Sequence, residues 1–129
     1  MDYCKILKNA KTIAVVGISH NPTRTSREIA DFLVAKGYNV VGVNPGFKKA
    51  GEIDVYPNLQ SIPFEVDIVD VFRRSETIGD LIPDVLEKNP KVLWLQLGIR
   101  NDEAVQPAIE QGITVIQDRC ILVTHKECF

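Results

Sequence analysis

The chain has 129 residues, 45% of them hydrophobic and 25% charged, with a formal net charge of −2. That length points to a single domain over residues 1–129 with an ordinary buried core, and the composition argues against disorder. So mild a charge excludes a general binder of nucleic acid or membrane surfaces, and no stretch is long and apolar enough to span a bilayer.

The chain opens Met-Asp-Tyr-Cys-Lys-Ile-Leu-Lys, without the apolar run of a signal peptide. The cysteines, Cys4, Cys120 and Cys128, are odd in number and form no C-x-x-C pair. That pattern argues against a disulfide framework and against a zinc knuckle, and implies reduced thiols in a cytoplasmic protein.

The first predicted strand is Lys11 to Ile18, ending in Val15-Val16-Gly17-Ile18. A helix follows from Thr25 to Lys36, opened by a Thr25-x-x-Glu28 capping box and stopped at Gly37. Tyr38 to Val43 is the second strand. The connection from Asn44 to Glu65 carries Asn-Pro-Gly, two lysines and one short helix near Asn58 to Ile62. Connections of that length without regular structure are often functional.

Val66 to Phe72 is the third strand, and Ser75 to Lys88 the next helix, kinked or split at Pro83. Lys91 to Leu97 is the fourth strand. Asn101 to Gln111 reads as a helix capped by Asn101, with Pro107 unusually deep inside it, and Ile113 to Ile116 is the fifth strand. The strands are short, β-branched and continuous in their hydrophobicity, as expected where both faces are covered. Their alternation with helices predicts an α/β, Rossmann-like, doubly wound domain: a mainly parallel five-stranded sheet with helices on both faces. Ligands of such folds lie beyond the carboxyl ends of the strands.

The loop after Val16 holds only one glycine, Gly17, where a dinucleotide fold would show G-x-G-x-x-G. It carries Ser19, Arg24, Thr25 and Ser26 instead. Gly17 permits close backbone approach, the helix start offers free amides, the hydroxyls add donors, and Arg24 adds a bidentate charge contact. Together these describe a phosphate or pyrophosphate loop. Thr25 alone is best explained as a cap. His20 lies in the same loop, within reach of a ligand there.

The second strand ends in Val43-Asn44-Pro45, with no acid to hold the ribose of NAD, and Lys48 and Lys49 follow. Those lysines suit a phosphorylated ribose or simply solvent. The third strand ends in Val71-Phe72-Arg73-Arg74, where Val71 and Phe72 could press on an adenine and Arg73 could reach a phosphate. The fourth ends in Gln96-Leu97-Gly98, a hydrogen-bonding amide beside a glycine that permits close approach. Trp94 reads as core or interface packing, and Asp118-Arg119 as a local ion pair or cap. Cys120 and His125 raise the thought of a nucleophile and base, but free cysteines are mostly packing residues.

Taken together, these blocks resemble the CoA-binding-domain family: small YccU-like single-domain proteins similar to the N-terminal CoA-binding domain of the succinyl-CoA synthetase α subunit. The resemblance runs through Ala14–Ser19, Asn21-Pro22 with Arg24 and Ser26, Val43–Pro45, Asp67–Glu76, Val92–Asn101 and Gln117–Cys120. It implies a CoA or acyl-CoA ligand. Gly17, Ser19, Arg24 and Ser26 would lie near its phosphates, and Asn44, Pro45 and Lys48 near the adenosine end. Val71, Phe72 and Arg73 would line the nucleotide, and Gln96 and Gly98 would lie where the pantetheine arm turns.

The phosphohistidine domain of the synthetase has no counterpart in these residues, so its chemistry is not implied. With no acid–base pair or nucleophile elbow evident, the expectation is a stand-alone CoA or acyl-CoA binding protein, a sensor or carrier. The alternatives are a small NAD(P)-dependent reductase or an acyl-CoA-processing enzyme, and a module serving a protein partner or its own oligomer.

Overall fold

The computed structural model describes residues 1–129. In chain order it contains α1 (Tyr3–Asn9), β1 (Thr12–Val16), α2 (Thr25–Ala35), β2 (Asn39–Val43), β3 (Lys49–Ala50) and β4 (Ile53–Tyr56). There follow β5 (Ile68–Val71), α3 (Ile78–Lys88), β6 (Val92–Leu95), α4 (Gln106–Glu110), β7 (Thr114–Ile116) and α5 (Ile121–Cys128). Single 3₁₀ turns at Leu59–Ser61 and Ser75–Thr77 complete it.

The sheet has seven strands in the order β3-β4-β2-β1-β5-β6-β7, not the five expected. All five expected strands are present and parallel to their neighbours. The two additional strands come from the long connection. Gly51, at φ +61, turns β3 back onto β4 as the one antiparallel pair, and β4 then joins β2 in parallel. A two-residue strand leaves too little alternation for a sequence pattern to register.

The core lies in two layers, one on each face of the sheet. On one face α1, α2 and α5 cover a cluster that includes Ile13, Val15, Ile29, Leu33, Trp94 and Ile121. On the other α3, α4 and the Leu59 turn cover Ala14, Val16, Val69, Val71, Leu81 and Leu93. Alternate residues of each strand serve opposite layers, which explains the continuous apolar runs. The start of β1 is pinned by Asp67, whose Oδ2 accepts from the Lys11 and Thr12 amides. Burial alone would raise that carboxyl, but the two amides and the Lys91 ammonium outweigh it and hold it low.

Several local expectations are corrected. The α2 cap is Arg24, without a side-chain cap bond, so Thr25 is the first helical residue and makes no capping box. α3 runs unbroken through Pro83, and the separation falls earlier, at Thr77. α4 begins only at Gln106, which places Pro107 in its first turn, where proline is tolerated. Asn101 caps the preceding turn by accepting from Ala104 N.

The expectation of three reduced thiols is overturned as well: Cys4 and Cys128 form a disulfide, and only Cys120 is free. The partners lie 124 positions apart, in helices that sequence patterning did not register. Asp118 and Arg119 do not pair either. Asp118 accepts from Gly98 N, while the Arg119 guanidinium lies over the Tyr3 ring at 4.0 Å.

Candidate functional site

The sheet order reverses at β1, with β2 on one side and β5 on the other. In an open parallel sheet the loops leaving this point diverge to opposite faces and open a crevice between them. Gly17 and Phe72 are the first residues beyond β1 and β5. Gly17 N donates to Val43 O and Phe72 N to Val16 O, carrying the ladder to the crevice floor. Gly17 sits at φ +84, and a β-carbon there would collide with the Phe72 carbonyl oxygen. The glycine is thus required by the crossing of two backbones, whatever else it serves.

Above this floor lies a cavity of about 560 Å³, lined by Gly17, Ile18, Ser19, His20, Arg24, Thr25, Ser26, Asn44, Phe47 and Phe72. Its loop is held by its own polar groups. Ser19 N donates to Ser26 Oγ, Asn21 N to Ser19 Oγ, and Asn44 Nδ2 to Ile18 O. Each serine oxygen accepts a bond in this network and still carries its own proton to donate. Arg27 fastens the outer side, donating to His20 O at 2.9 Å and to Asp31 at 3.0 Å. The first intrahelical amides of α2 are those of Arg27 and Glu28, both donating to Arg24 O. The Thr25 and Ser26 amides precede them and are helix-start donors without an intrahelical acceptor. With the helix dipole behind them they favour an anion. Arg24 is exposed and forms no ion pair, so its guanidinium is available to such an anion.

The crevice continues to either side. One extension is lined by Gly17, Asn44, Pro45 and Arg73, on the α3 face. Another runs from Phe72 and Arg73 to Leu97, Gly98 and Ile99 at the end of β6. Arg73, like Arg24, has no acidic partner, whereas the neighbouring Arg74 faces Glu76 at 3.6 Å. Each pair of hollows shares a lining residue: Gly17 and Asn44 join the cavity to the first extension, Phe72 joins it to the second, and Arg73 joins the two extensions, so they form one connected surface along the strand ends.

Ten of the residues expected from the sequence therefore converge: Gly17, Ser19, Arg24, Thr25, Ser26, Asn44, Pro45, Phe72, Arg73 and Gly98. Three stand apart. Val71 is fully buried in the core beneath the site. Gln96 is also buried, its Oε1 accepting from Ile121 N, so it anchors the start of α5. Lys48 is exposed beyond the lining, and the adjacent Lys49 is engaged by Asp54 at 2.7 Å. The sequence reading missed Phe47. Its ring meets His20 edge-on, with centroids 4.8 Å apart, and both line the cavity together with Phe72. An aromatic residue in an otherwise polar Asn-Pro-Gly connection was the available signal.

No helix is long and apolar enough to cross a membrane. A family model described as "CoA binding domain" matches residues 11–126. The uncharacterized protein YneT of Bacillus subtilis (strain 168) is 41% identical over 121 residues, covering 94% of this chain and 90% of that protein. The solved structure of cell-free ID.343 from Thermus thermophilus is 37% identical, with TM-score 0.95 over 100% of both chains. A hypothetical protein from Pyrococcus horikoshii OT3 is 31% identical, with TM-score 0.94 over 98% of this chain and 89% of that one.

Proposed function

The chain belongs to the CoA-binding domain family, and from that premise we propose that it is a stand-alone CoA or acyl-CoA binding protein, acting as a sensor or carrier. The observation that carries this reading is the cavity at the start of α2. It brings orphan helix amides, two serine hydroxyls and an unpaired arginine to one place. That donor set suits a pyrophosphate better than a carboxylate or a neutral ligand. Val43-Asn44 at the end of β2 offers no acid to a ribose hydroxyl, which favours CoA, whose ribose bears a 3′-phosphate, over NAD.

Phe47 and Phe72 give the adenine apolar faces, and Arg73 or Lys48 a charge for the 3′-phosphate. The hollow that runs from Phe72 to Gly98 and Ile99 gives a pantetheine arm a path away from the nucleotide. Cys120 and His125 share no hydrogen bond. His125 is buried among the Phe32, Tyr38 and Phe129 rings, and burial, then Lys36, pushes its pKa down.

Calorimetric titration with CoA, dephospho-CoA, NAD and NADP tests the reading. CoA should bind tightest, with dephospho-CoA about tenfold weaker for the loss of one charge-assisted contact. Binding of NADP without CoA would replace the reading with the reductase alternative. Turnover of an acyl-CoA thioester by the purified chain would replace it with the enzymatic one.

A further inference from the structure

We infer that the Cys4–Cys128 disulfide is a redox clamp that regulates the strand-end site, an inference that rests on the CoA reading above. The bond joins the first turn of α1 to the last turn of α5, with the two Cα atoms 5.3 Å apart. Cys4 is exposed and Cys128 half-buried, so the bond lies at the surface of the fold rather than within its core. The helices it joins are short, seven and eight residues, and α1 buries only Leu7. Segments with so little burial open at low free energy unless something ties them down.

A continuous set of contacts leads from the clamp to the site. Tyr3, next to Cys4, packs against Trp94 and lies under the Arg119 guanidinium. Trp94 Nε1 donates to Arg119 O at 2.8 Å. Arg119 N donates to Leu95 O, and the adjacent Asp118 accepts from Gly98 N. Ile121, the first residue of α5, donates to Gln96 Oε1 at 3.1 Å. The Gln96–Gly98 turn, whose Leu97 and Gly98 form one wall of the extended hollow, is therefore held by the segment that opens α5. Tyr38 closes the other side by donating to Leu7 O.

Reduction converts the disulfide to two thiols, taking two electrons and two protons from a dithiol, which leaves as its own disulfide. α1 and the last turn of α5 then fray, Tyr3 releases Trp94 and Arg119, and through them the Gln96–Gly98 turn loses part of its support. Ligand binding must reorder that wall, so affinity falls.

The test measures CoA affinity and melting midpoint of the full chain, air-oxidised and dithiothreitol-reduced. Thiol titration should count one free thiol in the first state and three in the second. Reduction should weaken CoA binding about fivefold and lower the midpoint by about 10 °C. Cys4→Ser should bind like the reduced protein and ignore the reductant, whereas Cys120→Ser should keep the full response. Three free thiols in the air-oxidised protein overturn the clamp. Equal CoA affinity in both redox states overturns it while leaving the CoA reading intact. Absence of CoA binding in both states overturns the two together.

Discussion

Three residues separate what the ligand needs from what the fold needs. Arg24 is exposed and unpaired at the mouth of the cavity, so Arg24→Ala should lower CoA affinity about tenfold, by ~1.4 kcal/mol, with little change in melting midpoint. Titration of the variant beside the wild type checks this. Gly17→Ala should do the reverse of a clean binding defect. Its φ of +84 and the collision with the Phe72 carbonyl should cost at least about 2 kcal/mol, read as a shifted denaturant midpoint. Asp70 serves neither purpose visibly. It is fully buried with both carboxylate oxygens unpartnered, and burial raises its pKa well above the usual carboxylate value. The native state thus keeps a proton that the unfolded chain releases in the ordinary carboxylate range. Stability contributed by this group must fall as pH rises above that range, and the penalty vanishes below it. His125 contributes the opposite slope, because its pKa is pushed down and the native state holds it neutral. Asp70→Asn should remove the falling component alone. Urea midpoints at about pH 5 and about pH 8 should drop less on raising the pH in the variant than in the wild type. Identical pH dependence in the two proteins would show that Asp70 does not titrate in that window.

At the scale of elements, legibility followed the strength of the local pattern. β1, β2, β5 and β6 each sit inside a predicted apolar run, because a strand covered on both faces has little choice of residue. β3 and β4 escaped because the hairpin is set by Gly51 and by pairing with β2, which no window of sequence contains. α5 escaped because Ile121-Leu122-Val123-Thr124 reads as a strand by propensity, and packing against α1 and α2 overrides it. The ten convergent site residues were legible because strand ends and a helix start fix where they must meet. Val71 and Gln96 were misread by a finer criterion: lying at a strand end does not say whether a side chain points into the crevice or the core. The disulfide was illegible for a simpler reason, since spacing carries no information about two cysteines at opposite ends of the sequence. Pro83 remains a local conflict that the fold tolerates. It is exposed on α3, as is Gly79, whose carbonyl loses the helical donor that a proline lacks. Pro83→Ala should therefore stabilise the protein by about 1 kcal/mol, measurable as a raised denaturant midpoint without a changed slope.

Across the whole molecule, the two core layers and the order of the strands make one end of the sheet a binding surface. The α1–α5 pair, bonded to itself across 124 positions, braces that surface from one side. A closed loop of this length is worth up to about 5 kcal/mol of stability in the chain-entropy description, enough to decide whether a domain of this size stays folded under stress. The central claim is narrower: a CoA pyrophosphate rests on the start of α2. Amide chemical shifts, followed while CoA is titrated into isotopically labelled protein, test it most directly. The largest changes should fall on Gly17 to Ser26, with smaller ones at Asn44 to Phe47, Phe72 to Arg73 and Leu97 to Gly98. Changes confined to another face of the molecule, or none at saturating CoA, would contradict it.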